Sequence, residues 1–343
     1  MVRFAVSALP LVSVCIANYN GSGMISGCIE SVLGQDFDFP VEILVHDDAS
    51  TDNSAEVVAR DYPGVRLIRS DSNVGFCVAN NRMVAQAKGP YILLLNNDAE
   101  LQSDALFALF DEANAVGKPA ILSLPQYDYW TGEVIDCGCL LDPFLNPVPN
   151  LDRKRREVAM VIGACLWIPK QLWDELGGFP EWFGSIAEDM CLCSRARLAG
   201  YTVGVLGVSG YKHRVGQSFG GGKVRGSMLV TTFRRRALSE RNKTFVMVMT
   251  YPSLLMPMML SLHLIGLLVE GAVLSLVKWK RTYLEEIYLP VFRGLLRYRN
   301  ELHKGRSASM RNRRLSRIGF FSVFDPFPYK LRMMLRHGLP RVR

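Results

Sequence analysis

Two stretches decide the fold: Leu11-Val12-Ser13-Val14-Cys15-Ile16-Ala17, followed by Asn18-Tyr19-Asn20-Gly21, and Glu42-Ile43-Leu44-Val45, followed by His46-Asp47-Asp48-Ala49-Ser50-Thr51-Asp52. Each is a short apolar run that stops abruptly at polar residues. Between them Met24–Gly34 has helical spacing, and the alternation continues: a helix over Ala55–Asp61, a strand over Val65–Arg69, a helix over Val78–Ala87 and a strand over Tyr91–Leu95. Apolar runs of four to seven residues alternating with helices predict an α/β domain, a mixed but mostly parallel sheet flanked by helices. In such sheets ligands bind beyond the carboxyl ends of the strands, so the polar residues after each run are the ones that matter.

Further along, strands are expected near Ala120–Leu124, Ala159–Trp167 and Tyr201–Val208. Helices are expected at Lys170–Glu175 and Glu188–Leu198. Gly216–Gly222 is too glycine-rich for regular structure and reads as a mobile loop. No G-x-G-x-x-G follows the first strand and no G-x-x-x-x-G-K-[ST] occurs, which disfavours dinucleotide-dependent dehydrogenases and P-loop enzymes. A nucleotidyltransferase would need a cation in the loop after the first strand, and Asn18–Gly23 has none.

Four clusters stand at the strand ends. Asp47, Asp48 and Asp52 offer acceptors for the donors of a base and ribose; the plainer alternative is a solvated turn capping the next helix. Asn96-Asn97-Asp98 presents a carboxylate for a hard divalent cation, or else a helix cap. Glu188-Asp189 follows Phe179, Trp182 and Phe183, and a carboxylate bordered by rings has the raised proton affinity of a general base. His213, between Lys212 and Arg214, suits contact with phosphate or metal.

Ala17-Asn18-Tyr19-Asn20 with Val45–Asp52, then Asn73-Val74-Gly75-Phe76 with Ala79-Asn80-Asn81, then Leu93–Asp98, then Gly177-Gly178-Phe179 through Glu188-Asp189 resemble, in order, the blocks of family 2 glycosyltransferases over about residues 11–245. The resemblance implies the GT-A fold and an inverting displacement on a nucleotide-diphospho-sugar. Carried over by position, Asp48 accepts from the nucleobase with Asp47 or Asp52 in support, and Ala17, Tyr19, Asn73 and Asn97 complete the nucleotide site. Asp98 coordinates Mg²⁺ or Mn²⁺ on the diphosphate, His213 assists there, and Asp189 takes the proton of the acceptor hydroxyl. Ala49, His46, Asn80 and the Asn-Asn-Asp form of the metal motif depart from the common pattern. No Q-x-x-R-W of processive synthases occurs, and Asn-x-Gly-Phe with Leu-Asn-x-Asp is similar to bacterial rhamnosyltransferase-like members. The implied donor is dTDP-rhamnose or a UDP-hexose. The implied acceptor is a glycan, lipid-linked, in cell-surface polysaccharide synthesis. The alternative is a catalytically silent, membrane-bound partner that binds nucleotide sugar or lipid.

Charge divides the chain. Residues 278–343 carry 17 Lys/Arg against four acids, a net of +13, which leaves −5 for residues 1–277 of a chain whose formal charge is +8. Thr244–Val269 runs 26 residues without Asp, Glu, Lys or Arg, although Pro252 and Pro257 interrupt it. Residues 1–243 therefore read as the catalytic domain and 244–343 as a helical, apolar and basic region. A single crossing would place the +13 tail away from the cytoplasmic nucleotide sugars, against the positive-inside tendency. The expectation is thus a peripheral or monotopic protein at the cytoplasmic face of the inner membrane, its tail on anionic lipid. A homodimer interface is the alternative use of that surface, and nucleic acid is not an expected partner. The eight cysteines form no C-x-x-C pair and read as buried, reduced thiols of a cytoplasmic protein, and Met1–Ala17 reads as leading into a buried first strand rather than as a signal peptide.

Overall fold

The computed structural model describes residues 9–216, 223–225, 228–338 and 341–342. The chain opens with β1 (Val12–Asn18), α1 (Ile25–Leu33), β2 (Val41–Asp47), α2 (Ser54–Asp61), β3 (Arg66–Arg69), α3 (Phe76–Gln86) and β4 (Tyr91–Asn96). These are the elements the apolar runs predict, to within a few residues. There follow β5 (Ala99–Leu101), α4 (Ala105–Val116), β6 (Ala120–Ser123), β7 (Gln126–Asp128), β8 (Val134–Asp136), β9 (Cys139–Leu141), β10 (Pro147–Pro149), β11 (Cys165–Pro169), α5 (Lys170–Leu176), α6 (Glu188–Leu198), β12 (Thr202–Val205) and β13 (Tyr211–His213). Seven strands pair in the order β12-β6-β11-β4-β1-β2-β3, parallel except for β11, which runs against both neighbours.

The pleat explains why these runs are apolar throughout. In β1, Val12, Val14 and Ile16 pack on one side with Ile25, Cys28 and Ile29 of α1 and Leu106 and Leu109 of α4. Cys15 points to the other side, with Met83 and Val84 of α3. In β4, Leu93 and Leu95 join the first core, and Ile92 and Leu94 the second. A strand covered on both faces has no place for a polar alternation. The apolar residues of α1 recur at 25, 28, 29 and 32, one helical face.

The expected strand over Ala159–Trp167 begins only at Cys165. Before it, Met160 donates to the Cys139 carbonyl and Gly163 to the Asp189 side chain, so residues 160–163 serve other partners than the sheet. All eight cysteines are free and buried, and burial raises every one of their thiols.

Beyond a small sheet of β14 (Lys223–Arg225), β15 (Met228–Thr231) and β16 (Arg341–Val342), the remaining elements are helical: α7 (Phe233–Thr250), α8 (Met256–Val277), a π-helical turn (Tyr283–Tyr288), α9 (Leu289–Arg297), α10 (Arg299–Arg311), α11 (Arg317–Phe321) and α12 (Tyr329–His337). The 243/244 division expected from the sequence falls inside α7, which runs unbroken past it. The apolar stretch Thr244–Val269 is two elements. Phe245, Val246, Met247, Met249 and Tyr251 are fully buried in the body of the protein, the chain breaks at Pro252, and apart from Leu254 the exposed large apolar side chains of the stretch are those of α8. Among the described residues α8 is the one helix long and apolar enough to cross a membrane, by length and composition.

Candidate active site

Because β1, β2 and β4 are parallel and in register, Asn18, Asp47 and Asn96 end side by side. The Asn18 amide joins them. Its Nδ2 donates to Asp47 Oδ1 and to Ser54 Oγ, each at 2.9 Å, and its Oδ1 accepts from Asn97 Nδ2 at 2.9 Å. This accounts for an asparagine at 97: with the Asn18 nitrogen committed elsewhere, a carboxylate at 97 would face an acceptor. Gly21 closes the same corner, where a Cβ would collide with the Asn18 and Asn97 side chains.

The acids of the second strand end are held by internal donors. Asp47 accepts from Ser50 N at 3.2 Å and from Ser50 Oγ at 2.6 Å. Asp52 accepts from Ser54 N and Ser22 N at 3.1 and 2.9 Å. Asp48 accepts Val74 N on Oδ1 at 2.6 Å and Gly75 N on Oδ2 at 2.9 Å, and Asn73 Nδ2 donates to its carbonyl at 3.3 Å. Each oxygen of Asp48 keeps one further acceptor position. Tyr19 is half exposed and Ala17 partly so. Gly75 sits at φ +88° with the Gly184 carbonyl 3.2 Å from where a Cβ would be, so both its conformation and its surroundings exclude a side chain. Phe76 then stacks on Phe179, ring centroids 6.1 Å apart, and Cys77 N donates to Gly184 O at 3.1 Å. The Asn73–Phe76 block thereby ties the first half of the site to the turn that precedes Glu188.

Asp98 and His213 meet where β13 pairs antiparallel with β5, and both are buried. His213 Nε2 lies 3.0 Å from Asp98 Oδ1, and His213 Nδ1 has no hydrogen-bond partner. That is ordinary hydrogen-bond spacing, and it brings one carboxylate oxygen and one imidazole nitrogen together at the buried strand end. No third His, Cys, Asp or Glu joins them among the described residues. One carboxylate and one imidazole fit a cation that takes its other ligands from diphosphate oxygens and water. Arg214 next to it stacks on Tyr129 at 4.0 Å and donates to Glu100 at 3.3 Å. Of the glycine loop, residues 217–222 lie outside the described residues.

Glu188 and Asp189 open α6 and are 6% and 8% exposed. Asp189 accepts from Gly163 N at 3.1 Å and Met190 N at 2.7 Å. Asn96 N donates to Ala164 O at 3.0 Å, so the residue next to Gly163 is bonded directly to the end of β4. Glu188 Oε2 has no hydrogen-bond partner. Burial first, and then the neighbouring Asp189 charge, push the Glu188 carboxyl up to about 8; burial raises Asp189 as well. Arg235, largely buried on α7, is the cation that offsets the pair.

The turn into α6 is strained. Gly184, Ile186 and Ala187 have φ of +76°, +72° and +67°, and a β-branched residue there is costly. Fully buried Asn242 of α7 holds it, its Nδ2 lying 3.2, 2.9 and 2.8 Å from the carbonyls of Phe183, Ser185 and Ile186. Arg241 adds a bond to Phe183 O at 2.9 Å. Sequence reasoning missed Asn18 as a junction, Asn242 and Arg235. Of these only Arg235 had a local signal, three consecutive arginines at 234–236.

A mostly parallel sheet with these clusters at its carboxyl edge is the architecture of the GT-A sugar transferases. Residues 13–172 match the pattern of glycosyl transferase family 2, and through this segment the chain is similar to members of that family. It is 38% identical over 104 residues to hyaluronan synthase of Pasteurella multocida, covering 29% of this chain and 10% of that one. It is 26% identical over 193 residues to N-acetylglucosaminyl-diphospho-decaprenol L-rhamnosyltransferase of Mycobacterium tuberculosis, covering 47% of this chain and 62% of that one. The aligned segments thus span less than two thirds of these relatives, 10% of the one and 62% of the other. Staphylococcus aureus TarS 1–349, solved in complex with UDP, superposes with a TM-score of 0.53 at 18% identity over 88% of each chain, a likeness of fold.

Proposed function

We propose that this chain is an inverting glycosyltransferase that moves a sugar from a nucleotide-diphospho-sugar, dTDP-rhamnose or a UDP-hexose, to a hydroxyl of a lipid-linked glycan in cell-surface polysaccharide synthesis. The observation that carries the reading is the buried Glu188-Asp189 pair bonded through Gly163-Ala164 to the strand end that leads into Asp98. A carboxylate in low dielectric is a stronger base than in water, and a neutral hydroxyl nucleophile needs one. Asp189 is the base, its backbone hydrogen bonds fixing its direction. Asp47, Asp48, Asp52, Asn73, Asn97, Ala17 and Tyr19 form the nucleotide side; the remaining acceptor positions of Asp48 suit the N–H groups of a base. Asp98 and His213 would hold Mg²⁺ or Mn²⁺, which when bound supplies charge neutralisation to the leaving diphosphate. The working place is the cytoplasmic face of the inner membrane, where nucleotide sugars and lipid-linked acceptors meet. The relatives named above act in polymer or lipid-linked glycan assembly by their names, which supports the class of acceptor.

Calorimetry with UDP-, dTDP- and GDP-sugars, in Mn²⁺ and then in chelator, tests the reading. Metal-dependent binding of one nucleotide class is expected. A folded chain that binds none of them refutes it.

A further inference from the structure

One side of α8 is apolar for its whole length and faces solvent. Met258, Leu262, Ile265, Val269, Val273 and Leu276 follow the helical repeat and are each 44–72% exposed. Twenty-two residues make this face about 33 Å long. The other side of the same helix is anchored by polar groups. His263 Nε2 lies 2.8 Å from Thr244 Oγ1 of α7, and Glu270 is paired with Arg236 of α7 at 2.5 Å and with Lys330 of α12 at 2.8 Å. Lys330 also reaches Glu240 of α7 at 2.5 Å. The same lysine therefore fastens α12 across α8, and Leu331, Met334 and Leu335 of α12 are 41–74% exposed at helical spacing.

We propose that α8 lies in the plane of an anionic bilayer, with its open face and the apolar stripe of α12 among the acyl chains. This deepens the membrane-side placement proposed above and rests on it. A helix that crosses carries every side, Glu270 included, into hydrocarbon, where an unpaired carboxylate is costly. Crossing here would either tear Glu270 from Arg236 and Lys330 or draw into hydrocarbon α7, the helix that carries Asn242 beneath the catalytic turn. In the plane, the ion pairs stay on the protein side and only the open face enters lipid. Charge selects lipid over a second copy. Trp279, 94% exposed, is flanked by exposed Lys278, Lys280 and Arg281 at the end of α8, and Arg336 is exposed on α12. A two-fold pairing would set two +13 tails against each other, whereas anionic headgroups neutralise them.

The full chain should float with vesicles containing phosphatidylglycerol and much less with pure phosphatidylcholine. Bound protein should be released by alkaline carbonate, which leaves a crossing helix in place. Leu262→Glu and Ile265→Glu, on the exposed side, should each weaken vesicle binding at least about tenfold with an unchanged melting temperature. Resistance to carbonate, or vesicle binding indifferent to both substitutions, overturns the proposal. So does a full chain that ignores vesicles and elutes as a dimer. Nucleotide-sugar binding, measured on the same preparations, separates the two readings. Loss of vesicle binding with nucleotide binding intact refutes only the platform, and vesicle binding without nucleotide binding refutes only the transferase assignment.

Discussion

Replacing Asn242 by alanine tests whether the strained turn before Glu188 is held from α7. The substitution removes the donor to Ser185 O and Ile186 O, while Arg241 still serves Phe183 O. A buried acceptor left without a partner costs about 1–3 kcal/mol, so keeping the turn in place costs about 2–6 kcal/mol. Ile186 and Ala187, both at positive φ, store about 1–3 kcal/mol each. The two sums are alike, so the variant gains by letting the turn relax, and Glu188-Asp189 then lose their position. A displacement of about 1 Å at the reacting groups can lower turnover about 100-fold. The assay is release of free nucleotide from the sugar donor in the presence of acceptor, with donor affinity measured by calorimetry. We expect turnover to fall by that order, donor affinity to hold, and the melting temperature to drop by several degrees. Asn242→Asp should be worse than Asn242→Ala, because a carboxylate would face three carbonyls. A folded Asn242→Ala protein with unchanged turnover refutes the reasoning.

Asp189→Asn, which keeps the shape and removes the proposed base, should cut turnover about 10²–10⁴-fold while sparing donor binding; retained turnover with lost donor affinity would reverse the assignment. Asp98→Ala should make nucleotide affinity the same in Mn²⁺ and in chelator, and an undiminished response to the ion removes Asp98 from that role. The raised Glu188 carboxyl gives a pH signature. The folded chain keeps a proton up to about 8 that the unfolded chain gives up near the ordinary value of 4.5, so this group's contribution to stability is lost progressively as pH rises between those values and is level above them. The melting temperature of wild type relative to Glu188→Gln should therefore decline across that window, and a constant difference would show that the carboxyl is not raised.

The half of the molecule that was legible in the sequence is the half whose signals are local. β1, β2 and β4 are continuous apolar runs ending in Asn18, Asp47 and Asn96, and those ends form one corner of the candidate site. The three-residue strands β5, β7, β8, β9, β10 and β13 are too short to show a period, so they went unread; pairing across the chain defines them. What holds the carboxylates in place was unreadable for the same reason. Asp48 is bonded to backbone N–H groups 26 and 27 residues on, and the turn at 183–186 is held from 56–59 residues away. Thr244–Val269 misled because composition cannot distinguish an apolar segment packed inside a protein from one that faces outward. Only the break at Pro252 and the burial of Phe245–Tyr251 separate them.

The buried cysteines make the intact chain its own reporter. A thiol reagent attacks the thiolate, and all eight sulfurs are both shielded and held above their ordinary titration range. The sites are spread from Cys15 on β1 to Cys193 on α6, on both sides of the sheet. Alkylation should therefore track opening of the structure rather than surface chemistry. Mass spectrometry of a pulse-labelled sample would count unmasked cysteines, and those that react together would mark the segments that open as a unit.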